Sequence, residues 1–151
     1  MNKRKLNIIL SSILLVLLLV LFATTKAPTQ VLSVGPSIVI SEIQITGAGG
    51  VNEDFIELYN PTSSDFDLNG HRLVKRSASG TTDTSIKAWS SETIIPAHGY
   101  YLWANSTWTP SVTPDTTTAA TLAADNGIAL RQGAEDTGTI IDSVAWGSVT
   151  N

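Results

Sequence analysis

The sequence predicts an all-β domain from residue 37 onward, and three features carry that expectation. From there on no stretch shows a helical period, and Thr, Ser, Gly, Ile and Val abound. Turn signals recur about every 8–15 residues, the rhythm of a sandwich or barrel. The segment 54–62 alternates: Phe55, Glu57 and Tyr59 fall on one side of an extended backbone, Ile56 and Leu58 on the other. Asn60-Pro61 then stops this strand, because Pro fixes φ, donates no hydrogen bond and biases the residue before it away from helix.

The other elements follow in order. Segment 37–46 opens the domain with Ile38 and Ile40 facing one way. Ile43 and Ile45 have the opposite parity, which predicts a bulge near Ser41-Glu42. The glycine-rich run 47–50 is a flexible connection; it lacks the Lys-Ser/Thr and following helix of a phosphate loop. Phe66, Asp67 and Leu68 lead through Asn69-Gly70 into a strand over 71–75. After a polar excursion at 77–85, strands are expected at 86–89 and 92–95. Pro96-Ala97-His98-Gly99 reads as a turn and 100–104 as a strongly aromatic strand. The Thr- and Pro-rich 105–124 reads as a long loop, and Asp125-Asn126-Gly127 as a tight turn. Segments 128–131 and 139–146 close as a hairpin across 133–138.

Residues 1–27 are expected to stand apart from this domain. Lys3, Arg4 and Lys5 precede an apolar run over 8–23, and Thr25-Lys26-Ala27 offers a loose cleavage site, the plan of a secretory signal. At ~1.5 Å per residue the run spans roughly 24 Å, short of a ~30 Å hydrocarbon core. A tilted span over 6–23 would make it an uncleaved N-terminal membrane anchor instead. Either way the remainder is placed outside the cytoplasm, secreted or tethered. Residues 28–36 form a short linker, and 37–151 the domain.

The 151 residues contain no cysteine, which excludes a disulfide scaffold and thiolate metal sites. Of nine Lys and Arg, four (Lys3, Arg4, Lys5, Lys26) lie in the leader, and none of the 13 Asp and Glu do. From Ala27 onward five bases face 13 acids, a balance of −8. Such a surface repels phosphate backbones and disfavours nucleic acid as a partner.

Taken in order, several motifs resemble the lamin tail domain, an immunoglobulin-like β-sandwich found in nuclear lamins and in exported bacterial proteins. They are Ile38-Val39-Ile40-Ser41-Glu42-Ile43, the 54–62 segment, Asp67-Leu68-Asn69-Gly70 with Leu73, Ile95-Pro96-Ala97-His98-Gly99-Tyr100-Tyr101-Leu102, and Ile141-Asp142-Ser143-Val144-Ala145-Trp146-Gly147. Together they cover nearly all of 37–151. Where the family often has Trp after the Asn-Gly, this chain has His71, so one core anchor is replaced or rotated outward. Exported members are commonly joined to other modules, so the chain is open to being the N-terminal part of a longer protein.

Candidate sites are few. His98 in its turn lacks an evident orienting carboxylate and nucleophile, and His71 substitutes for an aromatic; no catalytic residue is predicted. Glu53, Asp54, Glu57, Asp65 and Asp67 offer oxygen ligands for calcium, but match no EF-hand spacing, and turn or cap roles suit Asp65 and Asp67 better. Glu42 and Glu57, set among apolar neighbours, are expected to pair with a base such as Arg72 or to accept backbone N–H groups. No metal and no cofactor is predicted. Asn105-Ser106-Thr107 fits a glycosylation acceptor pattern.

The aromatic strand leaves two parities open. If the sandwich buries Tyr100 and Leu102, then Tyr101 and Trp103 stand outside and with Trp108 form a platform for sugar rings or a partner protein. In the alternative, Trp103 packs under the Thr-rich loop. The leading expectation for function is an exported, non-catalytic module for protein or cell-envelope interaction, or an accessory domain. The alternatives are the N-terminal fragment of a larger exported hydrolase or nuclease, and a carbohydrate-binding sandwich.

Overall fold

The computed structural model describes residues 37–47 and 53–148, all within one compact unit, Val34–Asn151. The leader at 1–27, the linker at 28–36 and most of the glycine-rich connection lie outside the described residues. Among those described there is no helix.

Ten strands are present: β1 (Val39–Gln44), β2 (Phe55–Tyr59), β3 (Phe66–Asp67), β4 (His71–Ser77), β5 (Thr84–Ala88), β6 (Ile94–Ile95), β7 (Tyr100–Asn105), β8 (Thr116–Thr118), β9 (Asn126–Gln132) and β10 (Thr139–Trp146). A first sheet runs β1-β2-β7-β8 and a second β10-β9-β4-β5, with β3 and β6 as a small two-stranded ribbon. All pairings are antiparallel except β7 with β8. This is the all-β sandwich expected.

The core lies between the two sheets. Ile38, just before β1, and Ile56, Leu58 and Trp103 from the first sheet meet Leu73, Ile86, Ile128 and Leu130 from the second, all nearly inaccessible. Burying each such side chain contributes about 1.5–3 kcal/mol against leaving it in water. The alternation of β2 is as the sequence predicts: Ile56 and Leu58 inside, Phe55, Glu57 and Tyr59 half-exposed on the outer face.

The parity break in β1 is a bulge. Ile40 pairs with Leu58 and Glu42 with Glu57, so Ser41 is the extra residue and Ile43 regains a partner in Ile56. A second bulge interrupts β10, between Ile140 and Asp142. Both sit on edge strands, where a bulge discourages pairing with another chain. Asp142 also reaches across from the second sheet, its Oδ2 accepting the Ile40 amide at 2.7 Å.

Two sequence expectations fail here. The stretch 105–124 is not one loop: Thr116–Thr118 forms β8, parallel to β7. Asn126-Gly127 is not a turn, because both residues already lie in β9, with Asn126 opposite Ser77 and Trp146. A three-residue, all-Thr strand next to prolines carries no apolar alternation, so periodicity could not mark it.

Candidate functional site

The β2–β7 register decides which aromatics are available. Ile56 lies opposite Trp103 and Leu58 opposite Tyr101, and residues directly opposite on neighbouring strands share a face. Tyr101 and Trp103 are therefore drawn into the core, 8% and 0% exposed, while Tyr100 is 59% exposed. The platform built on Tyr101 and Trp103 is thus corrected: those side chains face inward. Their polar ends are satisfied there. Tyr101 Oη accepts from Trp89 Nε1 at 3.2 Å, the rings meeting edge-on. Trp103 Nε1 donates to Thr118 Oγ1 at 3.0 Å, and that hydroxyl donates to the Ile86 carbonyl. Trp103 packs under the Thr-rich segment, the second of the two open parities.

The two histidines lie in different surroundings. His71 is buried, its ring 5.0 Å from that of Phe66 and its Nδ1 3.2 Å from the Asn69 carbonyl. It takes the aromatic position inward rather than rotating out. His98 is exposed in its turn with φ of 56°, close to the Thr62 carbonyl through its backbone N–H. Asn105 is buried, donating from Nδ2 to the Ala120 carbonyl at 2.6 Å, so its amide is not presented for glycosylation.

The acidic residues are mostly structural. Asp65 accepts the Ala97 amide, and Asp67 Oδ1 accepts the Asn69 and Thr93 amides at 2.9 Å each, the turn and cap roles expected. These two N–H groups, Thr93 first, hold Asp67 below its ordinary pKa. Asp54 is fully buried and accepts the Leu122 amide at 2.6 Å; its Oδ1 finds no partner among the described residues. Burial raises its pKa, against the Leu122 hydrogen bond and the Lys75 charge, which lower it. Among the described residues no three His, Asp or Glu are grouped to hold a metal. Arg72 pairs with Glu135 at 3.8 Å, not with Glu57 or Glu42.

These two carboxyls predict opposite effects in acid. Asp67, lowered, contributes stability present above pH 3.8, lost as pH falls through its folded pKa. Asp54, raised, makes the fold relatively more stable as pH falls through its folded pKa. Urea midpoints between about pH 2 and 7 check this: Asp67→Asn is less stable than wild type near pH 7 and converges on it in acid, whereas Asp54→Asn escapes the penalty of the buried charge, gains on wild type near pH 7 and converges on it in acid.

What the first sheet leaves outside is a cleft. Phe55 and Leu102 form its floor, Trp108, Pro110 and Val112 its wall, and Glu42, Glu53, Glu57 and Gln44 its other side; its volume is about 420 Å³. The wall is held by its own hydrogen bonds. Trp108 Nε1 donates to the Val112 carbonyl at 2.9 Å, and its ring meets Phe55 edge-on at 5.5 Å. Asn105 Oδ1 accepts from the Thr107 amide and hydroxyl, and Asp115 is tied to both backbone groups of Leu102. Thr109 donates to Glu53. Beyond the cleft, Tyr59 and Tyr100 stack at 4.7 Å on the same outer face.

Of the three aromatics named from sequence, only Trp108 belongs to this surface. Phe55 and Leu102, which line the cleft, and Tyr59 and Tyr100, which flank it, were not singled out from sequence. The signal was present, since the 54–62 alternation already sets Phe55, Glu57 and Tyr59 opposite the core pair.

The lamin tail domain family model matches residues 33–148. The chain belongs to the lamin tail domain family. The match spans both sheets and the cleft wall, and the immunoglobulin-like sandwich expected of the family is the architecture observed. A comparison with curated proteins finds no match for this chain.

Proposed function

We propose that this lamin tail domain is a non-catalytic interaction module, carried outside the cytoplasm by its leader, which engages a protein partner through the outer face of its first sheet. The observation that carries this reading is the cleft. It is the apolar depression on a face whose opposite side is committed to the core, and its wall is ordered by side-chain and backbone hydrogen bonds. Large apolar side chains on a sheet face that no second sheet covers, and that the 108–112 wall covers only in part, favour a partner. The scattered placement of the histidines and the engagement of Asp54, Asp65 and Asp67 with backbone amides support a binding role over a catalytic one.

A photo-crosslinking residue tests this in the native host. Introduced at Tyr100, on the outer face of the first sheet, it is expected to give a discrete adduct. Introduced at Lys87, on the second sheet, it is expected to give none. Adducts at position 87 with none at position 100 would reject the assigned face.

A further inference from the structure

We infer that the cleft receives an extended, lysine- or arginine-bearing segment of a partner protein, with the basic side chain laid along Leu102 and its cationic end between Glu42 and Glu57. This rests on the interaction reading above and names its ligand chemistry.

The charge distribution argues for a cation. Arg72, Lys75, Arg76, Lys87 and Arg131 are all the basic residues of the described domain, and every one lies on β4, β5 or β9 of the second sheet. The first sheet carries none. Glu42 and Glu57 are nevertheless directly opposite each other across β1 and β2, and like charges in that relation destabilise a sheet. No described Lys or Arg forms an ion pair with either. Glu57 Oε1 accepts from the Ser41 hydroxyl at 2.6 Å, but a hydroxyl carries no charge, so the pair has no counter-ion among the described residues.

The apolar lining argues for a cation on an aliphatic stem. Lys and Arg bury their methylenes on apolar surface while the charged end seeks carboxylates, and the cleft offers Phe55, Leu102 and Trp108 beside Glu42 and Glu57. The Trp108 ring adds a face for cation–π attraction. A lone cation or an acidic ligand would leave one half of this lining unused.

Spacing argues for an extended peptide. The outer face has three stations two residues apart along β2: Phe55 with Trp108, Glu57 with Leu102 and Glu42, and Tyr59 with Tyr100. At ~3.4 Å per residue they are about 7 Å apart, the interval between same-side residues of another extended chain. The matching pattern is apolar-x-basic-x-apolar.

The probe is the blocked pentapeptide Leu-Ser-Lys-Ser-Leu, titrated into the full chain by calorimetry beside versions with norleucine or Glu at the centre, and beside spermine. The lysine peptide is expected to bind at least tenfold more tightly than the norleucine peptide, and the Glu peptide more weakly still. The combined substitution Glu42→Gln and Glu57→Gln is expected to abolish that preference, with a thermal transition no lower than that of wild type reporting an intact fold. Tyr100→Ala is expected to weaken the lysine peptide severalfold. Equal binding of the lysine and norleucine peptides overturns the inference, as does spermine binding as tightly as the peptide, or no binding by any probe. An adduct at position 100 in the crosslinking experiment, together with any of these failures, sinks the basic segment and leaves the interaction face standing.

Discussion

Trp103→Ala is expected to lower the stability of the domain by about 3–5 kcal/mol, the range for truncating a fully buried large aromatic. Trp103 is 0% exposed and lies opposite Ile56 at the centre of the first sheet. The substitution leaves a cavity and also removes the Nε1 donor to Thr118 Oγ1. That hydroxyl links β8 to the Ile86 carbonyl of the second sheet, so the loss reaches three strands. Against a typical total of about 5–15 kcal/mol, it takes a marginal domain to the edge of unfolding at 37 °C. Trp108→Ala, at the rim of the cleft, is expected to cost about 1 kcal/mol. Urea unfolding followed by circular dichroism separates the two. A platform with Trp103 outside would reverse their order.

The second large effect is at Asp83. Its carboxylate, 4% exposed, accepts from Arg76 Nε at 2.6 Å and from Arg131 Nη2 at 2.7 Å, and the Arg131 side chain is 10% exposed. Asp83→Ala leaves Arg131 without its counter-charge in a low-dielectric setting, and removing one partner of such a pair costs about 3–5 kcal/mol. Arg131 retains only the Gly138 carbonyl, at 2.7 Å. Combining Asp83→Ala with Arg131→Met removes the stranded charge, so the double variant is expected to be less destabilised than the sum of the singles. A coupling energy near zero in the double-mutant cycle would show that the pair is not the source of the cost.

Much of the sandwich was legible because short apolar alternations survive in single strands. The two faces of β2 and the bulge at Ser41 both follow from side-chain parity, which is local. What parity cannot supply is which strands are opposite each other. Tyr100 to Trp103 alternates equally well in either sense, and only the pairing of Leu58 with Tyr101 and of Ile56 with Trp103 decides that Tyr101 and Trp103 go inward. The polar end of each finds a partner inside, Trp89 for one and Thr118 for the other. That second partner sits on β8, a strand of three threonines with no hydrophobic pattern.

The wall and the acidic side of the cleft were illegible for a related reason. Its wall, Trp108, Pro110 and Val112, comes from a Pro-rich segment whose shape depends on Asn105 and Asp115 bonding back to backbone. Its acidic side depends on the register that sets Glu42 against Glu57. Asn60 likewise works in part through distant partners: a residue that reads as a strand terminator is fully buried, its Nδ2 donating to the Ser64, Ile95 and Pro96 carbonyls and its Oδ1 accepting from Thr62. Asn-Pro at the end of β2 thus also fastens the turn before β7, which positions the Tyr59–Tyr100 stack.

The central claim is that the outer face of the first sheet is the working surface and its inner face is core. Hydroxyl-radical footprinting of the full chain, alone and with the lysine pentapeptide, tests it most directly. The expected result is oxidation of Tyr100 and Trp108 in the free protein, protection of both on peptide binding, and Tyr101 and Trp103 unreactive throughout. Oxidation of Tyr101 and Trp103 in the folded protein, or bound peptide that leaves Tyr100 and Trp108 as reactive as before, would contradict it.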